Sequence, residues 1–144
     1  MIYRLTVWEY DSGLNEVLGG NRYDPRTRRV FNSVKSKNDA LCMKYIRYSK
    51  ELRGIKFDKP IVIHYLFLCK NKRRDRMNIA SAFDKSFEDA LQKCHILKND
   101  GFDDMINATF DFRINDKKPR VEIAIEELSQ GTKYYDIFPW GKYL

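Results

Sequence analysis

Residues Ile61 to Leu91 read IVIHYLFLCKNKRRDRMNIASAFDKSFEDAL, and the way this stretch divides decides the fold. Its first nine residues follow Pro60 and are almost continuously apolar, which predicts a central strand covered on both sides. His64 within that run is expected to be a satisfied interior histidine, not a ligand. From Asn78 to about His95, Ile79, Phe83, Phe87 and Leu91 recur every four residues, the stripe of a helix that buries one side against a sheet. Between strand and helix lies KNKRRDR, Lys70 to Arg76, where one carboxylate, Asp75, sits among five cations.

Working outward, Tyr3, Leu5 and Val7 alternate with polar or amphipathic neighbours, the period-two pattern of a half-buried strand. Residues 11–33 carry three glycines, Pro25, and the arginines Arg22, Arg26, Arg28 and Arg29. They read as a long basic loop, a feature more often functional than idle in a compact domain. Leu41, Tyr45, Tyr48 and Leu52 fall at helical spacing, with Gly54 as the stop. Lys37, Lys44, Arg47 and Lys50 lie on the opposite face. Downstream, NDGFDD (Asn99 to Asp104) is a polar turn. Ile106 to Ile114 alternates strictly and predicts a strand. Val121, Ile123 and Ile125 form the last one. The expected fold is a single α+β domain over residues 1–128: a mixed sheet of about four strands with two main helices packed on it. The strand from Ile61, the helix after it and the strand from Ile106 are a candidate crossover unit. Residues 129–144 read as an aromatic tail.

At 144 residues the chain is long enough for one core without disulfide support. Cys42, Cys69 and Cys94 are odd in number and widely spaced, which suggests reduced thiols in a cytoplasmic compartment and argues against a zinc site or redox pair. No apolar run is long enough to span a bilayer, and mean hydropathy is -0.60. The net charge of +7 is unevenly placed. Residues 1–76 carry 18 Lys/Arg against 8 Asp/Glu, net +10, whereas residues 77–144 carry 9 against 12, net -3. A basic first half suits a polyanion, and downstream carboxylates suit a divalent cation.

Asp75 falls just past the carboxyl end of the central strand, where open α/β sheets place their ligands. Arginines on such a loop bind phosphate oxygens bidentately. A hard cation shared between Asp75 and a phosphate needs one or two carboxylates in all, and the NDGFDD turn is the obvious second supplier. If the intervening helix runs antiparallel to the central strand, that turn must fold back toward Asp75 or come from a second subunit.

The block RRDRMN, followed by a helix ending DALQKCHILKNDG, resembles the RusA family of Holliday-junction endodeoxyribonucleases in its phage and prophage versions. The resemblance extends from about Leu5 to Leu128, including GLNEVLGGNRY (Gly13 to Tyr23), GIKFDKPIVIHYLF (Gly54 to Phe67) and DKKPRVEIAIEEL (Asp116 to Leu128). It implies a homodimer that cuts four-way DNA junctions with Mg²⁺ or Mn²⁺. It further implies that Asp75 and Asp100 are catalytic metal ligands and that Lys85 is the catalytic helix lysine. Arg73, Arg74 and their neighbours Lys72, Arg76 and Asn78 would contact DNA, with Arg22, Arg28, Arg29 and Lys37 positioning the backbone. One position departs from the family pattern. Its second motif aspartate falls on Met77, which cannot ligate a hard cation usefully. Asp84, in preference to Asp89, is the candidate replacement ligand. The alternative is a protein that binds branched DNA with weak or lost nuclease activity. An RNA-binding module is a third possibility, without a stacking platform or glycine-loop signature to support it.

Overall fold

Strand β1 spans Ile2–Trp8, helix α1 Pro25–Tyr48, β2 Ile61–Cys69, helix α2 Arg76–Lys93, β3 Met105–Ile114 and β4 Arg120–Glu127. This computed structural model describes residues 1–8, 25–72, 75–99, 101 and 103–132, with the side chains of α1 described from residue 35. The four strands form one mixed sheet in the order β1-β4-β2-β3. β4 runs antiparallel to both β1 and β2, and β2 runs parallel to β3. The parallel pair β2–β3 is joined through α2, so the expected crossover unit is present. The outcome is the α+β domain anticipated from the pattern, with four strands and two helices among the described residues.

The register builds the core in rows. Leu5, Ile123, Tyr65 and Phe110 lie side by side across the four strands, as do Val7, Val121, Phe67 and Phe112. Period-two alternation places these residues on one face of the sheet, and α2 lays its stripe on them. Phe83 meets Tyr65 and Phe67 edge-on at 6.0 and 5.8 Å between ring centroids, the arrangement that the ring quadrupoles favour. Ile79, Phe83, Phe87 and Leu91 are all buried, as the four-residue spacing required. Cys42 and Ile46 of α1 join the same cluster. Cys42 and Cys69 are buried and free, and Cys94 is half-buried and free.

Three expectations need correction. First, α1 begins at Pro25, so residues 25–33, read from sequence as loop, are helical. Proline suits the first helical position because its missing N–H would be unsatisfied there in any case. Second, α1 ends at Tyr48, before Leu52. The chain turns through residues 49–54, with Gly54 at φ 74° and Leu52 buried in the turn. Third, His64 is not interior. β2 is buried along the face of the core rows, and on the opposite face Val62 and Leu68 are buried while His64 and Leu66 between them are half-exposed. His64 is satisfied on that face. Its Nδ1 lies 2.7 Å from Thr109 Oγ1 and its Nε2 2.9 Å from Glu126 Oε2. No helix among the described residues is long and apolar enough to cross a membrane.

Candidate nucleic-acid interface

Parallel pairing brings the carboxyl ends of β2 and β3 together. Cys69 and Ile114 are register partners, and the Asn115 N–H donates to the Cys69 carbonyl at 2.8 Å. The start of α2 returns over the same end. Together they enclose a cleft of about 600 Å³. Its walls are of two kinds. Among the described residues, Lys72, Arg76 and Arg113 supply positive charge, with Asp75 the single carboxylate, while Met77, Ile79, Phe112, Ile114 and Cys69 supply apolar surface.

Asp75 has a structural role that the sequence did not disclose. It is the N-cap of α2, with extended backbone at φ -67° and ψ 122°. Its Oδ1 accepts from the Met77 N–H at 3.0 Å and the Asn78 N–H at 3.2 Å. Two of the four orphan donors at the helix start are thereby satisfied. Both cap bonds use the same oxygen, so the carboxylate is oriented by the helix while remaining exposed in the cleft. Arg76, the first helical residue, holds its guanidinium 5.7 Å from the centroid of the Phe112 ring. The Asn78 carbonyl accepts from Ser81 Oγ at 3.4 Å.

Among the described residues, Asp84 and Lys85 do not gather there. Asp84 lies nine residues along α2 from Asp75, a rise of about 13 Å, and accepts a hydrogen bond from the Tyr65 hydroxyl at 2.7 Å. Burial, then the charge and hydrogen bond of Asp84, hold the Tyr65 phenol well above its ordinary value, so it stays a donor. Asp84 therefore anchors α2 to the middle of β2 and does not share an ion with Asp75. Lys85 is farther along by one residue, and its ammonium pairs with Asp89 at 3.3 Å. Asp89 also receives Lys35 of α1 at 3.2 Å, and Lys35 in turn holds Asp39 at 2.9 Å. The helix lysine of the sequence motif thus belongs to an ion network that includes a clamp between α1 and α2.

The acidic turn sits at the opposite end of the sheet. The Ile61 N–H, at the start of β2, donates to the Asp104 carbonyl at 2.9 Å. The length of β2 separates this turn from the cleft, on the order of 25 Å. Asp100 itself lies outside the described residues, as do Arg22, Arg73 and Arg74 and the side chains of Arg28 and Arg29. Lys37 is exposed on α1. Among the described residues no group of three or more His, Cys, Asp and Glu side chains is placed to hold a metal. The described residues bring one carboxylate, Asp75, to the cleft.

Arg113 and Phe112 were missed as site residues. In the sequence they are members of an alternating strand, and only the parallel register with β2 sets that strand's end beside Asp75.

No protein-family model matches this sequence, and a search of curated proteins also finds no match.

Proposed function

We propose that the protein is a RusA-like endonuclease that binds and cuts four-way DNA junctions as a homodimer. One observation supports this reading most: Asp75 stands in a cleft at the carboxyl ends of two parallel strands, with Lys72, Arg76 and Arg113 around it. Three cations there suit phosphate oxygens, and a carboxylate fixed by its helix cap suits a divalent cation shared with the phosphate. Mg²⁺ or Mn²⁺, when bound, would supply the activated water and the polarised phosphoryl oxygen of phosphodiester hydrolysis. Asp75 would provide one ligand. Asp104 of the acidic turn is bonded to the start of β2, the end away from the cleft, so the partner subunit's turn is the proposed source of the second ligand. A two-fold dimer then presents two equivalent sites to a junction of similar symmetry.

A second reading, binding of branched DNA without cleavage, is favoured by Met77. Its side chain lines the cleft where the family pattern has a carboxylate, and it is 57% exposed there.

Incubation with synthetic four-way junctions, with and without Mg²⁺ or Mn²⁺, tests both readings. Paired, metal-dependent incisions near the branch point are expected. Tight junction binding with no incision in either metal would leave the binding-only reading. Absence of any preference for junctions over linear duplex would remove both.

A further inference from the structure

We propose that the cleft at the ends of β2 and β3 receives an unpaired nucleotide, with its base laid against the Arg76–Phe112 stack. This deepens the DNA-binding reading above and rests on it, by naming the part of the DNA that enters.

The lining carries the inference. A groove that tracks only a duplex backbone needs cations and polar donors, because the base faces remain stacked inside the helix. Here the cations share the cleft with a half-buried ring, Phe112, and with two side chains standing largely in water, Met77 at 57% and Ile114 at 48% exposure. Phe112 is braced from within by Phe67, the two rings lying 5.3 Å apart and 14° from parallel. The Arg76 guanidinium lies over the Phe112 ring. Planar guanidinium and aromatic groups are the surfaces on which bases stack. Lys72 and Arg113 border the same cleft, where they would meet the phosphates on either side of the inserted base. The volume of about 600 Å³ suits a ligand of nucleotide size and not a duplex. Removing a base from its stack is least costly where it is already unpaired, which favours a branch point or a single strand over linear duplex.

The test compares affinity for oligothymidylate with affinity for a blunt duplex of matched length, by fluorescence anisotropy. Arg76→Lys keeps the charge and removes the plane. Phe112→Leu keeps apolar bulk and removes the ring. Because Phe112 also packs on Phe67, Arg76→Lys at the exposed helix start is the deciding variant. It should weaken single-strand binding relative to duplex by about tenfold, with the salt slope of duplex binding unchanged because the cation count is unchanged. A ratio held within about twofold in Arg76→Lys would overturn the proposal, as would a wild-type protein that does not bind the single strand. Wild-type cleavage of junctions is scored separately. Cleavage with an unmoved ratio rejects the base pocket alone, whereas a moved ratio without cleavage rejects the nuclease and leaves the pocket standing.

Discussion

Asparagine caps a helix about as well as aspartate, whereas alanine does not, so two substitutions at Asp75 separate its structural role from its proposed chemical one. Asp75→Ala removes the acceptor for the Met77 and Asn78 N–H groups and should lower stability by about 1 kcal/mol. Asp75→Asn should keep stability within about 0.3 kcal/mol of wild type while abolishing junction cleavage. Urea midpoints read the first effect and the metal-dependent junction assay the second. Retained cleavage in the asparagine variant would place the active site elsewhere. At this scale the sequence was informative in kind but incomplete in role. A carboxylate among cations was visible, but a cap is a statement about backbone direction, and that requires the helix start to be placed at Arg76 and not at Asn78.

At the scale of elements, the junction of α1 with α2 depends on Asp89, which receives both Lys35 and Lys85. Partial burial acts to raise its pKa, but the hydrogen bonds and charges of the two lysines prevail and hold it below the ordinary value of 3.8. A carboxylate lowered in the folded state binds its proton less readily there than in the unfolded chain. Its contribution to stability is therefore complete above the ordinary carboxylate pKa and is lost as pH falls through the folded one. Asp89→Asn should cost about 0.5 kcal/mol at pH 7, the scale of a partly exposed ion pair. The difference from wild type should shrink below about pH 4. Urea unfolding of both proteins across that interval checks it; a gap that does not change with pH would remove the ion pair as its cause. The helices also show where periodicity misleads. The stripe of α2 was legible because four apolar residues meet one sheet face. The first part of α1 was not, because Pro25 reads as a loop signal and residues 25–33 carry no apolar stripe.

Across the whole molecule the decisive fact is direction. α2 carries the chain from the carboxyl end of β2 back to its amino end, so Asp75 and the acidic turn finish at opposite ends of β2. If the proposed cation site joins Asp75 of one protomer to the turn of another, two inactive variants should complement. Asp75→Asn and Asp100→Asn proteins, mixed and allowed to exchange subunits, form heterodimers with one wholly native site and one doubly altered site. Such mixtures should regain metal-dependent nicking of one strand, at a rate below that of wild type. No recovery after verified subunit exchange would mean that both residues serve a site within one protomer, and an active Asp100→Asn protein would mean that Asp100 serves none.

The sequence by itself determined the elements and their order, because apolar spacing records which side of a strand or helix leaves water. It determined the class of the sheet, since a buried apolar run, a striped helix and an alternating strand in succession specify a crossover unit. It also placed Asp75 at the end of the central strand. Which residues share a site was decided only by the tertiary structure. The parallel register brings Phe112 and Arg113 to Asp75. The rise of α2 carries Asp84 to Tyr65 and Lys85 to Asp89. The return of the chain puts the acidic turn a sheet-length away. Spacing along a chain fixes distance only within one element; between elements it is set by pairing and direction, which no local pattern encodes.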